Sequence, residues 1–250
     1  MTAASDFPVE TGVLQMVRAD VNMHEFQRWM GAKRLQDPDH AMHCLLRECF
    51  GQLAPKPFRL IVPRGNSSGV FYGYARACAE ELRETATVCA DPLQCRVIPA
   101  EKLDSKLMPT EWQAGKLLGF ETRIRPIVRL SRNNPSRPTR ECDAFQAEAE
   151  QHPKGGMERS REEVYRDWLS SQLDRIGGAS LDLEQTKLVS FQLTRAVRKL
   201  HGRHSEGPDA VMRGNLTVTD SNAFTALLAR GVGRHRAYGY GMLLLRPASV

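Results

Sequence analysis

The sequence predicts an α+β protein built from two tandem units, each with the order β-α-β-β-α-β. Three observations carry this reading. Along residues 119–250, apolar alternation of period two and apolar stripes of helical period succeed one another in that order. Cap signals mark the helix starts at Asp37-Pro38, at Ser160-Arg161-Glu162-Glu163 and at Asp220. Residues before 115 are compatible with the same order. Each unit is then expected to form a ferredoxin-like module, the first over 9–114 and the second over 115–250.

In the first unit a strand is expected over Thr11–Ala19, with Val13 and Val17 on one face and Leu14, Met16 and Arg18 on the other. The Asp37 cap opens a helix whose stripe is Met42, Leu45, Leu46 and Cys49, stopped at Gly51. Pro57–Val62 reads as a strand, Arg64–Gly69 as a turn and Tyr74–Thr85 as a helix. Residues 91–115 are expected to hold the unit's last strand and a linker.

The second unit opens on a strand in which Phe120, Ile124, Pro126, Val128 and Leu130 alternate with Glu121, Arg123, Arg125, Ile127 and Arg129. This gives a basic face, although Pro126 demotes the strand to an edge or bulged position. Residues 131–156, rich in Pro, Arg, Asn and Gly, read as an exposed insertion. The capping box at Ser160 starts a helix with the stripe Val164, Tyr165, Trp168, Leu169, Leu173 and Ile176, ended by Gly177-Gly178. A strand over Leu188–Val197 and a return strand with Met212, Gly214, Leu216 and Val218 on one face enclose a basic hairpin at 195–213. Asp220 caps a helix carrying Phe224, Leu227 and Leu228, and a last strand runs from Met242 to Leu245. Trp29, Trp112 and Trp168 are expected in cores.

Composition narrows the function class. The 250 residues are 41% hydrophobic and 26% charged, with a net charge of +6. That balance suits a soluble chain with an anionic partner. No apolar run has the length of a membrane span and no signal-peptide pattern is present, so no membrane role and a cytoplasmic location are expected. The six cysteines form no C-x-x-C pair and read as reduced, packed thiols; neither metal nor cofactor is expected.

The strongest local signal is A-R-G-V-G-R-H-R-A-Y-G-Y-G-M from Ala229 to Met242. Gly231, Gly233, Gly239 and Gly241 enclose Arg234, His235 and Arg236. Glycines permit close backbone approach and can present N–H groups, and arginines suit phosphate. A dinucleotide fingerprint fits poorly, because this loop follows a helix and precedes a strand. Taken alone, the loop is also readable as a tight helix-to-strand turn. A second basic cluster is Arg195, Arg198, Lys199, His201, Arg203, His204 and Arg213 on the hairpin, readable as a solvated loop or as an RNA grip. A third is Arg123, Arg125, Arg129 and Arg132. On the Asp37 helix, His40, His43 and Arg47 share one polar face, which spacing alone assigns to solvent.

Three stretches resemble the CasE-like repeat-RNA processing endoribonucleases of CRISPR systems. They are G-V-G-R-H-R-A-Y-G-Y-G-M-L-L-L-R-P in the loop, R-E-E-V-Y-R-D-W-L-S-S-Q-L-D-R-I-G-G from Arg161, and D-P-D-H-A-M-H-C-L-L from Asp37. The segments 58–82 and 131–156 depart from that subfamily, as a diverged type IV counterpart would. The resemblance implies two ferredoxin-like modules of the RNA-recognition type. It implies binding of a repeat stem-loop and metal-free cleavage by 2′-hydroxyl attack, leaving a 2′,3′-cyclic phosphate and a 5′-hydroxyl. It further implies retention of the mature guide RNA and partnership with other proteins of an effector complex.

The resemblance places the family's catalytic histidine at His43, with His40 beside it, and gives Arg236 a position where the family often has a basic residue. Histidine suits acid and base roles near neutral pH, and arginine suits phosphorane charge. Arg18 and Arg34 are added as catalytic candidates, because both flank the expected groove. RNA contacts are expected from Arg195, Arg198, Lys199, Arg203, Gly231, Gly233, Arg234, His235, Arg236, Arg123 and Arg125. Tyr238 and Tyr240 are expected to pack. A non-catalytic RNA-binding scaffold subunit of a CRISPR ribonucleoprotein is the alternative function.

Overall fold

The computed structural model describes residues 12–130, 140–152, 156–196 and 205–248. The first module runs β1 (Gln15–Asn22), α1 (Met23–Ala32), α2 (Pro38–Phe50), β2 (Phe58–Ile61), β3 (Ser68–Ala75), α3 (Ala79–Cys89), α4 (Pro92–Val97) and β4 (Asp104–Leu107). The second runs β5 (Leu117–Ile124), β6 (Ile127–Leu130), β7 (Arg140–Asp143), α5 (Ala144–Ala149), α6 (Arg161–Ile176), β8 (Ala179–Leu181), β9 (Lys187–Ala196), β10 (Ser205–Val218), α7 (Ser221–Arg230) and β11 (Leu243–Arg246).

Both main sheets are antiparallel and share one permutation. The first is ordered β2-β3-β1-β4 and the second β11-β5-β10-β8, with β9 continuing along β10. In each, the unit's first and next-to-last strands are central. These are two tandem ferredoxin-like modules. Among the described residues no helix is long and apolar enough to cross a membrane.

Local sequence explains most elements. Asn22 caps α1 by accepting from the His24 and Glu25 amides, and Phe26 and Trp29 bury its apolar side. Asp37 caps α2, and Met42, Leu45, Leu46 and Cys49 are all buried beneath it. The Ser160 capping box and the Asp220 cap stand where the sequence places them. Trp29 and Trp112 are buried, and Trp168 packs partly buried against the second core.

The two cores meet through the first sheet. Val17, Ala19 and Val21 of β1 face the first core, whereas Leu14 and Tyr74 belong to the second. The Tyr74 hydroxyl donates to the Leu243 carbonyl at 2.9 Å, tying β3 to β11.

Several expected elements differ. The first strand lies at Gln15–Asn22 instead of 11–19, followed directly by the unforeseen α1. The helix expected over 74–85 is the end of β3 followed by α3. Phe71 faces one core while Tyr72 and Tyr74 face the other, so burial on both sides erases the alternation that marks a strand. The strand expected to pass through Pro126 stops at Ile124, and β6 turns away to pair with β7. Residues 140–152 are not a wholly exposed insertion. They form β7 and α5, with Cys142, Asp143, Ala144 and Ala147 buried. Asp143 anchors them, accepting from Arg161 at 2.6 Å and from the Tyr165 hydroxyl at 2.9 Å.

Candidate active site and nucleic-acid interface

The apolar stripe of α2 sets its roll on the first core, which turns His40, His43 and Arg47 toward the second module. The face is not left to solvent. A 3-10 turn, Arg236–Tyr238, lies against it. The Tyr238 ring meets His43 edge-on at 5.4 Å between centroids and His40 at 6.0 Å. His43 is half-buried. Burial, and after it the charges of His40, Arg47 and Lys56, pushes its pKa below 6.5. The imidazole is therefore neutral at neutral pH, the state a general base requires.

His43 lines a cleft of about 970 Å³ between the modules. Its apolar floor includes Leu14, Leu46, Phe58 and Tyr74, while Arg47, Lys56, Arg76, Arg230 and Arg236 surround it and Glu81 contributes a carboxylate. Arg47 donates to the Gln52 amide oxygen, Arg76 to the Gly12 carbonyl and Arg236 to the Arg230 carbonyl. These acceptors are neutral and leave the charge of the guanidinium groups in place. Burial and the cations Arg230 and Arg175 push the Arg236 pKa down. Such crowding of like charge is the condition that an anionic ligand relieves.

Arg123 sits in a different environment. Its guanidinium donates to both oxygens of Asp39 at 2.8 and 2.9 Å, and to both oxygens of Asp209 at 2.7 Å. It also stacks 4.2 Å from the Tyr240 ring centroid and donates to that hydroxyl at 3.2 Å. Asp39 begins α2 and Asp209 lies on β10, so this arginine bridges the modules. Burial pushes the Asp39 carboxyl up further than Arg123 draws it down. Asp209, which burial alone would also raise, is held below its usual range by the hydrogen bonds and charge of Arg123. The two carboxylates share one guanidinium and settle on opposite sides of normal.

The expected basic face on β5 is thus corrected. Arg123 is engaged by two carboxylates, and Arg125 is only 4% exposed and donates to the Thr194 hydroxyl at 3.1 Å. The sequence shows two arginines at alternate positions; the carboxylates that face one of them come from 84 and 86 residues away.

The glycine loop is likewise built by packing. The Gly231 amide donates to Leu227 and the Gly241 amide to the Arg123 carbonyl, so these two N–H groups are used within the fold. Gly233, at φ 72°, has no room for a Cβ, which would stand 2.7 Å from the Trp168 ring. Arg234 pairs with Glu141 of β7 at 3.3 Å, and His235 lies 3.6 Å from the same carboxylate. Of the loop's basic residues, Arg236 is the one that lines the cleft.

The remaining candidates are dispersed. Arg18 pairs with Asp20 on β1 at 2.9 Å, and Arg34 is exposed at φ 54° in the turn before α2. Neither lines the cleft. His40 lines a smaller cavity together with Tyr238. Arg195 is near the end of β9, while Arg198, Lys199 and Arg203 lie outside the described residues. Lys56, Arg76 and Arg230 were not singled out from sequence. Lys56 stands just before β2, a strand the sequence does place, but nothing local links it to the cleft; Arg76 follows β3, which local pattern misses, and Arg230 reads as an ordinary cation in the last turn of a helix.

Fold and cleft together define a two-module ferredoxin-like protein with a histidine set in a basic inter-module groove. The chain matches the family described as CRISPR associated protein over residues 15–247 and belongs to it. No curated protein matches the sequence. Among solved structures it is similar to CRISPR endoribonuclease Cse3 bound to a 19-nucleotide RNA, at 20% identity and a TM-score of 0.65, covering 94% of this chain and 100% of that one. It is also similar to Thermus thermophilus Cse3 bound to an RNA representing a pre-cleavage complex, at 18% identity and a TM-score of 0.62, over 94% and 100% of the two chains. A chain of a CRISPR RNA-guided surveillance complex matches at 14% identity and a TM-score of 0.57, over 93% and 99%. At these identities the likeness is one of fold.

Proposed function

We propose that this protein is a CRISPR precursor-RNA processing endoribonuclease that binds a repeat stem-loop and cleaves it without metal. The observation that carries this is His43, whose pKa is lowered, on the wall of a cleft lined by Arg47, Lys56, Arg76, Arg230 and Arg236. The neutral imidazole takes the proton of the 2′-hydroxyl upstream of the scissile phosphate. The freed 2′-oxygen attacks phosphorus, and the bond to the 5′-oxygen breaks as the 2′,3′-cyclic phosphate forms. Lys56 carries a proton that can pass to the departing 5′-oxygen, leaving a 5′-hydroxyl. Arg236 and Arg76 offset the charge gathered on the phosphorane. The edge contact of Tyr238 holds the His43 ring in place.

The same cations suit retention of the cleaved guide RNA, and the fold is shared with a chain of an RNA-guided surveillance complex. We therefore expect the protein to remain on the guide RNA within a cytoplasmic effector complex with other CRISPR proteins. The test is single-turnover cleavage of the repeat RNA in excess EDTA, with and without a 2′-deoxy nucleotide upstream of the cut. Cleavage in EDTA that the deoxy change blocks is expected, and His43→Ala should slow it by roughly a hundredfold or more. Dependence on magnesium, or cleavage of the deoxy substrate, would overturn the mechanism. RNA binding without any cleavage would make the protein a scaffold instead.

A further inference from the structure

A second cavity, of about 370 Å³, opens beside the cleft between the start of α2 and the second module. Four rings line it: His40, His235, Tyr238 and Tyr240. They form a continuous wall, with centroid separations of 6.0 Å for His40–Tyr238, 6.3 Å for His235–Tyr238 and 6.4 Å for His235–Tyr240. The Arg125 guanidinium completes it, 5.9 Å from the Tyr240 centroid.

Its electrostatics differ from those of the cleft. The charge of Arg123 in this wall is balanced by Asp39 and Asp209. Asp37 also lines the cavity beside Asp39, so the carboxylates and the two guanidinium groups of the lining offset one another and favour neither a phosphate nor an organic cation. Aromatic and guanidinium planes around a small cavity suit a flat, neutral heterocycle. Position adds a second argument. Tyr238, which lines this cavity, links it to the cleft: its ring meets His40 here and also meets His43, which lines the cleft.

We propose that this cavity is a nucleobase pocket, which takes the base of one unpaired nucleotide adjoining the phosphate held in the cleft. The inference rests on the endoribonuclease reading and adds a specificity site to it. An unpaired base swung into the pocket fixes which phosphate stands before His43. A paired base stays in the stem and cannot enter. The pocket thereby distinguishes the foot of a hairpin from its interior, which shape recognition of A-form RNA alone does not do.

The experiment uses the full-length protein and its repeat stem-loop, made uncleavable by a 2′-deoxy nucleotide at the cut. A set of such RNAs carries one abasic site at each unpaired position in turn, and affinities are measured by titration. One abasic position beside the cut should weaken binding roughly 5- to 150-fold, the span of one base stacked on aromatic side chains. Gln36 is exposed at the pocket rim. Gln36→Trp, which fills the entrance, should weaken binding of intact RNA by a similar factor and abolish the difference between intact and abasic RNA. Tyr238→Leu, which removes a wall, should also abolish that difference; melting curves establish that both variants fold. If the intact RNA binds but every abasic RNA binds equally well, the pocket is overturned while the nuclease reading stands. The same holds if both variants keep wild-type discrimination. Failure of the wild-type protein to bind repeat RNA overturns both.

Discussion

Two arginine-rich regions flank the histidine helix, and they do opposite things. In the bridge, Arg123 is closed in by Asp39 and Asp209 and its side chain is 17% exposed. In the cleft, Arg76 and Arg236 hold on to backbone carbonyls, and Arg236 lies within the field of the cations Arg230 and Arg175. The difference teaches that the partner, not the residue type, decides an arginine's role. A guanidinium matched by carboxylates holds structure together. One matched by neutral acceptors keeps its field for an incoming anion.

Deleting the bridge should have the largest effect. Arg123→Met strands two part-buried carboxylates and should cost about 3–5 kcal/mol of stability, read from the urea midpoint. The slope of log affinity for RNA against log salt should not change in the fraction that stays folded. A stable variant with a reduced salt slope would move Arg123 into the RNA interface and erase the distinction.

Removing cleft cations should do the reverse. Arg236→Met and Arg76→Met should each lower the salt slope by about one unit while shifting stability by less than about 1 kcal/mol. If both lose stability and keep the slope, the cleft is structural too.

The next effect is in pH. Burial first, and then the neighbouring cations, lowers the His43 pKa from 6.5. A base with a lowered pKa stays unprotonated further into acid, so the acid limb of the cleavage rate should have its midpoint below 6.5. Lys56→Met should move that limb upward only slightly, because burial is the larger cause. By linkage, the folded form loses stability as pH falls below 6.5, where the unfolded chain takes up the proton first. A midpoint above 6.5 would show that His43 is not the titrating base.

The smallest effect belongs to Arg234, which is 45% exposed and paired with Glu141. Arg234→Ala should change stability by at most about 1 kcal/mol, measured by thermal melting, and RNA affinity less than Arg236→Ala does. A larger loss of affinity would extend the anion site beyond the cleft to the rim of the loop.

Local sequence made α2, α6 and α7 legible, because their caps and apolar stripes lie within a few residues of one another. The α+β class and the tandem modules followed from element order, since strand and helix periods succeed one another along the chain, although β1 pairs with β4 and β5 with β10 and β11 across long stretches of sequence. The motif around His43 likewise stands in the sequence, in a single helix. What escaped depended on distance. β3 hid its strand pattern because both faces are buried. Arg123 read as an exposed cation because Asp39 and Asp209 are far away in the chain. Lys56, Arg76 and Arg230 reach the cleft from three separate segments, and no local pattern unites them. Tyr238 gained its place beside both histidines when the second module folded back on the first. Helix starts and apolar faces are settled by neighbouring residues. Charge compensation and the shape of a cleft are settled between modules, so the tertiary structure alone decided which cations are left to meet an anion.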